Sequence, residues 1–290
     1  MKTSIIIFFT LTIFIRIVNA DKDPCLSLAD SLYLNQFYDQ AITEYMRYLY
    51  FSRMDNQISV GEEQKRAEIL FRIGISYRNR KNWQKATDFI NRSIIRTKED
   101  SLRDTRKLSL VIIRLSTKEY SLAEIELLRL LQFSNTKSIR IRAYFFLAVC
   151  YVYQFKWQEA DEKLKQYVSA TTGRPDSMLN SMLYRGKNLP YKSPDLAKWL
   201  STFIPGCGQI YAGDRKNGIN ALAINLLTGY LLVDGILDQR FQDLILSHMA
   251  LFWRFYQGNR ANAEKIAELN NERLNKTEAD KIIHYLEMNW

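Results

Sequence analysis

The chain is 290 residues long, 47% hydrophobic and 25% charged, enough for one large domain or two ordinary ones, and it excludes a disordered chain. Eleven Gly and five Pro argue against an all-β chain full of tight turns. The formal net charge of +10 favours anionic neighbours such as phospholipid headgroups, acidic proteins or nucleic acid, without choosing among them.

Residues 1–20 have one early Lys, an apolar run from Ile5 to Ile15, and Val18-Asn19-Ala20 before the abruptly polar Asp21-Lys22-Asp23-Pro24. This is the layout of a secretory signal peptide cleaved after Ala20. An uncleaved anchor is the other reading, because Arg16 interrupts the apolar run. Without Lys2 and Arg16 the chain carries 39 basic and 31 acidic residues, a surplus of eight. Cys25 has no apolar, small-residue lipobox before it, so lipidation is not expected. Export permits disulfides, but Cys25, Cys150 and Cys207 are scattered and odd in number, so neither a disulfide framework nor a zinc site is expected. Cys150 lies on an apolar helical face and reads as a buried thiol.

Residues 21–170 read as helix after helix. Four segments align on an Ala preceded three residues earlier by an aromatic: Tyr38/Ala41, Trp83/Ala86, Tyr120/Ala123 and Trp157/Ala160, at Ala-to-Ala intervals of 45, 37 and 37. Twelve residues before each Ala stands a small or apolar residue: Ala29, Gly74, Val111 or Ala148. Such spacing describes an α-hairpin whose helices approach closely at the small residues, with large side chains filling the layer to the next hairpin. The pattern resembles the tetratricopeptide repeat, most clearly in Ile73-Gly74-x-x-Tyr77 through Trp83-x-x-Ala86. The first copy is followed by an insertion near Met54–Glu63, the third has Arg114 in place of an aromatic, and no copy has a closing Pro. The resemblance implies an all-α, TPR-like solenoid that binds protein or peptide partners along its concave face. It implies groove positions at Tyr33, Phe71, Arg78, Asn79, Arg142, Phe145 and Tyr153. From Ser101 to Pro190 there are fifteen basic and eight acidic residues, which suits an acidic peptide. Solvated surface charge is the plainer reading of any single arginine.

Residues 171–195, with Gly173, Pro175, Pro190 and Pro194, form an expected linker containing a short helix near Asp176–Arg185. Residues 196–258 change character, since seven of the eleven glycines fall between 206 and 258 while apolar content rises, as in membrane helices. Three apolar blocks follow: Leu196–Ala212, Ile219–Leu237 and Phe241–Tyr256. Each is near the lower length for spanning hydrocarbon, and each is interrupted, by Lys198 and Pro205, by Asn225 and Asp234, or by His248 and Arg254. If all three cross and the repeats lie outside the cytoplasm, Arg215 and Lys216, then Arg254, Arg260 and Lys265, fall on the cytoplasmic side. A two-crossing hairpin from Ile219 puts Arg215 and Lys216 outside, against the positive-inside rule, and re-entrant or outer-membrane placement removes the rule. A buried soluble hairpin or interfacial helices remain alternatives.

Ile204-Pro205-Gly206-Cys207-Gly208-Gln209-Ile210-Tyr211-Ala212-Gly213-Asp214, followed by Gly218, resembles the PGxGQxYxGd element of bacterial membrane-associated proteins in which exported helical repeats precede hydrophobic helices. It is more distantly similar to the TM2 domain. No activity transfers with the resemblance. Physically, Pro205 ends a helix, Gly206 and Gly208 permit a tight reversal, Gln209 and Tyr211 can satisfy freed backbone groups, and Asp214 can cap the next helix. A packed corner and a ligand- or lipid-contacting re-entrant turn are the two readings of Pro205, Gly206, Gly208, Gln209, Tyr211, Gly213 and Asp214. Residues 259–290 form an amphipathic helical tail.

Neither His248 nor His284 has a partner at ligand spacing, and no phosphate-cradling loop, GxSxG elbow, HExxH helix or nucleic-acid module occurs. The sequence therefore points to a scaffold without enzymatic activity or cofactor, exported, periplasm-facing and membrane-associated, contacting proteins and membrane lipid but not nucleic acid. The alternatives are a soluble exported binding protein whose carboxy-terminal helices cap the solenoid, and a membrane-embedded enzyme built around Gln209, Tyr211, Asp214 and Asp234.

Overall fold

The computed structural model describes residues 24–52, 60–171, 173–174, 176–237 and 249–289. The expected leader and the stretch 241–248 of the third apolar block lie outside the described residues. Among the described residues every element is a helix: α1 Pro24–Leu34, α2 Tyr38–Phe51, α3 Val60–Asn79, α4 Trp83–Arg96, α5 Asp100–Ser116, α6 Tyr120–Phe133, α7 Lys137–Tyr153, α8 Trp157–Ala170, α9 Ser177–Lys187, α10 Pro194–Phe203, α11 Cys207–Tyr211, α12 Arg215–Leu237 and α13 Met249–Asn289. The fold is all-α, a helical repeat array followed by a region containing a long apolar helix. Two compact units divide it: Met1–Cys150 with Glu162–Arg174, and Tyr151–Asp161 with Pro175–Trp290.

The repeat is written most plainly in its turns. Gln36, Lys81, Lys118 and Phe155 have φ of 64°, 57°, 63° and 59°, the left-handed region, and each stands five residues before its repeat Ala. In each turn the next residue's N–H reaches back to the preceding helix: Phe37 to Leu32 O, Asn82 to Tyr77 O, Glu119 to Arg114 O and Lys156 to Tyr151 O, all at 2.8–2.9 Å. This left-handed helix stop satisfies otherwise orphaned carbonyls and then starts the second helix of the hairpin. The first three turns belong to the first unit and the fourth to the second.

In the first unit consecutive helices from α1 to α6 pack on one another. Ala29, Ala41, Ala86, Ala123 and Ala148 are fully buried, so small residues lie where the helices meet. A Cβ on Gly74 would stand 2.6 Å from Ile90 Cγ1, which fixes glycine there by close approach. Tyr45, Tyr48, Ile69, Leu70, Ile73 and Phe89 fill the layer between hairpins one and two. Polar pins cross the same layers. Tyr45 donates to Asp30 Oδ1 at 2.6 Å, Asp30 also pairs with Arg72, and Ser93 Oγ donates to Ala67 O at 2.7 Å. Arg106 is 2% exposed and donates to Glu68 Oε2 at 2.9 Å, to Thr97 Oγ1 and to Ser93 O, with the Phe71 ring 5.4 Å away. The Cys150 thiol is buried and donates to Tyr120 O at 3.1 Å.

In the second unit α13 is the spine, contacted by α9, α10, α11 and α12. Its polar face holds its neighbours. Asn271 exchanges hydrogen bonds with the Lys192 backbone at 2.7 and 2.8 Å, and Asn275 Oδ1 accepts from Trp157 Nε1 at 3.1 Å and Tyr191 Oη at 2.6 Å. Glu278 accepts from Arg185 at 3.2 Å, and Tyr285 donates to Asp176, the residue that also caps α9 through two backbone N–H groups. The expected tail is thus continuous with the third apolar block in one helix of 41 residues. The first apolar block is not one helix. Ile204–Gly206 breaks it into α10, of ten residues, and α11, of five, with Gly206 at φ 95°. At 1.5 Å per residue these rise about 15 and 8 Å, each short of the roughly 30 Å of bilayer hydrocarbon.

Candidate functional site

The groove positions implied by the repeat resemblance distribute over both units. Tyr33 and Phe71 lie half-buried against the layer formed by Ile75, Ala86, Ile90, Leu110 and Ile113. The Tyr33 ring meets Tyr38 and Tyr45 edge-on at 6.1 and 6.4 Å. Burial, aided by the neighbouring Tyr38, raises the Tyr33 pKa above 10.0, while the charges of Arg78 and Arg72 draw it back. Tyr33, Phe71 and Arg78 therefore share one part of the first unit, with Asn79 exposed beside Arg78 at the end of α3. Arg142 is exposed on α7, and Phe145 packs on Phe146 and Tyr167 at 5.6 and 5.3 Å. Tyr153 belongs to the second unit, where burial first, then Glu287 and Asp280, raise its pKa. Arg72, Arg80, Arg92, Arg96, Arg103 and Arg106 all reach carboxylates within 4.0 Å, whereas Arg78 and Arg142 have none within that distance among the described residues.

Sequence reasoning missed a second feature of this unit, a cleft of about 460 Å³ opening among α2, α3 and α4. Arg66, Arg92 and Arg96 line it with Glu63, which lies 3.8 Å from Arg66 and 3.5 Å from Arg96. Arg66 is buried, and its Nε has no partner among the described residues. Nothing in the local sequence marks this set, since the three arginines come from two helices and become neighbours only through the α3–α4 packing.

In the second unit the glycine-rich element forms a corner. A Cβ on Gly206 would overlap Gly218 O, one on Gly208 would overlap Ala197 O, and one on Gly218 would stand 2.5 Å from Ile210 Cγ1. These glycines let α10, α11 and α12 touch through backbone. Pro205 precedes the reversal, and Gly213, at φ 102°, makes the next left-handed stop, with Asp214 N–H reaching Gln209 O at 2.8 Å. Asp214 caps α12 by accepting from Asn217 N at 3.0 Å. The Tyr211 hydroxyl accepts from Ser193 N at 3.1 Å while Lys192 lies 5.0 Å from its ring centre. Gln209 is buried: it accepts from Ser201 Oγ at 3.0 Å and donates to both the carbonyl and the side-chain oxygen of Asn259, and Ser201 Oγ in turn accepts from Gly208 N at 3.0 Å.

Gln209 and Asn259 form one wall of a cleft of about 630 Å³ between α12 and α13. Amides dominate it: Gln209, Asn217, Asn220, Asn225, Asn259 and Asn262 line it, with Arg254 and Lys265 at its rim and no carboxylate among its lining side chains. Beyond this cleft the two helices turn apolar and outward. Leu226, Tyr230 and Leu237 on α12 are 65%, 65% and 76% exposed, and Met249 and Trp253 on α13 are exposed as well. Trp199, Phe203 and Ile204 present a further exposed apolar edge at the end of α10. Among the described residues one helix, Arg215–Leu237, is long and apolar enough to cross a membrane, with mean hydropathy 1.5 over a window only 11% buried.

No family model and no curated protein matches the chain. Among solved structures it is similar to the apo form of RapI, at 13% identity and a TM-score of 0.49, over 93% of this chain and 81% of that one. A likeness at that level assigns no function.

Proposed function

We propose that this chain is a non-enzymatic protein-interaction scaffold of a bacterial envelope membrane, exported by a leader cleaved after Ala20, whose first unit binds partner proteins and whose second unit sits in the bilayer. The observation that carries the reading is the apolar surface of α12 and the start of α13. Each large aliphatic or aromatic side chain moved from water into hydrocarbon contributes about 1.5–3 kcal/mol when fully buried, and a dozen such groups lie exposed there. The glycine-rich corner supports it through its resemblance to membrane-associated proteins with exported repeats. With α10 and α11 too short to cross, the geometry favours a hairpin entering from the periplasmic side. Such a hairpin leaves Arg215 and Lys216 outside, against the positive-inside tendency, which re-entrant or outer-membrane placement removes.

For partner binding, the support is a stack of α-hairpins with Arg78 beside Tyr33 and Phe71, and the cleft lined by Arg66, Arg92 and Arg96, two of which flank Glu63. Both suit a segment carrying carboxylates, since arginine forks match carboxylate geometry. Carbonate washing of membranes tests the anchor: the full-length protein stays in the pellet if the hairpin is inserted, and its release refutes insertion. Crosslinking in intact cells, comparing the native chain with an R78A/R142A variant, tests the groove. Capture of the same partners in the same yield by both chains refutes it.

A further inference from the structure

The amide-lined cleft of the second unit contains more hydrogen-bonding capacity than the chain uses. Asn225 is 6% exposed and donates through Nδ2 to Ala221 O at 2.7 Å, yet its Oδ1 has no partner among the described residues. Asn259 is 4% exposed and accepts from Gln209, yet its Nδ2 likewise has none among them. A buried acceptor or donor left idle costs about 1–3 kcal/mol, so two of them lining one cleft mark a place shaped for a visitor. Arg254 and Lys265 stand exposed at the same cleft with no carboxylate within ion-pair distance among the described residues. On one side the cleft is closed by Ile224, Phe255 and Ile266, apolar side chains continuous with the exposed face of α12.

We infer that this cleft binds the headgroup of an anionic phospholipid that carries hydroxyl groups. The single negative charge of the phosphate diester is drawn to a cleft that Arg254 and Lys265 make positive. A headgroup hydroxyl supplies what both idle amides lack, a donor for Asn225 Oδ1 and an acceptor for Asn259 Nδ2. The acyl chains follow Ile224 and Phe255 onto the apolar face of α12. A small polar metabolite would leave that apolar side unused, and an acidic peptide would meet no feature there that selects a hydroxyl. The inference rests on the membrane reading of the second unit, and its test separates the two.

The test uses the purified full-length chain floated with vesicles of phosphatidylcholine alone, of phosphatidylcholine with phosphatidylglycerol, or of phosphatidylcholine with phosphatidylserine at the same anionic fraction. The native chain should favour phosphatidylglycerol over phosphatidylserine. An R254Q/K265Q variant, changed only at exposed positions and checked for unaltered helical circular dichroism, should bind phosphatidylglycerol vesicles roughly tenfold more weakly and lose that preference. Equal binding of the native chain to the two anionic vesicles assigns the attraction to surface charge and overturns the inference, as does a preference that survives in the variant. Displacement by glycerol phosphate in solution as effective as by lipid overturns the lipid source. Failure to float with any vesicle refutes the membrane reading itself.

Discussion

Replacing Arg106 by Ala should destabilise the first unit by about 3 kcal/mol, and replacing it by Met by about 2 kcal/mol, the difference being the void that only Ala leaves. The guanidinium is 2% exposed and joins three helices: Glu68 and Phe71 on α3, Ser93 near the end of α4, with Thr97 just beyond it, and its own α5. The charge-assisted bond to Glu68 is worth about 1.5–3 kcal/mol and the contact over Phe71 about 0.5–1 kcal/mol. Alanine also leaves a void where a long side chain had packed. Two features limit the loss. Glu68 is 44% exposed and keeps Arg72 at 3.2 Å, so its carboxylate rehydrates and is not stranded. Thr97 Oγ1 still donates to Ser93 O at 2.7 Å. Methionine fills most of the volume, so it loses the polar contacts but leaves little void. Because two units make a single global transition unsafe, hydrogen exchange of the full chain, followed in peptides of α3 and α5, is the better measure. Exchange there should accelerate roughly a hundredfold in the Ala variant and roughly thirtyfold in the Met variant. An Ala variant that exchanges like the native chain, or a Met variant that exchanges faster than Ala, refutes this account of the pin.

The same substitution should have opposite signs at two glycines of the second unit. Gly208→Ala should lower the unfolding temperature, because its Cβ overlaps Ala197 O and meets Ser201 Oγ at 2.5 Å, a strain of about 2 kcal/mol or more. Gly258→Ala, with nothing within 4 Å and a place inside α13, should raise it through about 0.5–1 kcal/mol of helix propensity. Lys118→Gly should stabilise the first unit by up to about 1 kcal/mol, measured by the same exchange experiment, because it removes a side chain from a left-handed position. Burial raises the pKa of Tyr33, Tyr45 and Tyr48 above 10.0. With folded values above unfolded ones, their contribution is complete below the unfolded pKa and is lost as pH rises through the folded values, so tyrosinate absorbance and loss of helical circular dichroism should climb together in strong alkali. Ionisation of all three in a chain that stays fully helical would count against it.

The repeat was legible because it is built from small residues that only close helix contact explains. Ala41, Ala86, Ala123 and Ala160 stand at readable intervals, and all four are fully buried. The turns before them were not legible by composition, since Gln36, Lys81, Lys118 and Phe155 share no chemistry that favours a left-handed backbone. Their shared property is position, imposed by the packing of the helices on either side. Arg114, which departs from the family pattern, nevertheless supplies the carbonyl that the third turn requires, a main-chain role indifferent to its side chain. Arg106 was invisible for a related reason. Its burial depends on Glu68, 38 residues earlier, and an arginine in an amphipathic helix reads as solvated until that partner is placed against it. The amide cleft was beyond reach as well: Asn225 and Asn259 look like interruptions of apolar runs until α12 and α13 are laid side by side.

The glycine-rich corner was read for its geometry, and the geometry has a consequence for topology. Composition makes Leu196–Ala212 a third apolar block, and three crossings would scatter the basic residues on alternate sides of a bilayer. The reversal at Gly206 instead lays α10 and α11 against α12 and α13 as short pieces. Gly229 faces Phe252 while Asn217 and Asn225 share a cleft with Arg254 and Lys265, so α12 and α13 run antiparallel. Lys265 then lies level with Arg215 and Lys216, while Arg254, about 16 Å earlier on α13, lies level with the middle of α12, and Leu237 and Met249 lie toward the other end. A guanidinium at the bilayer centre costs about 2.5–3.5 kcal/mol even on the lenient scale, so insertion has to keep Arg254 at the polar cleft formed with the amides of α12.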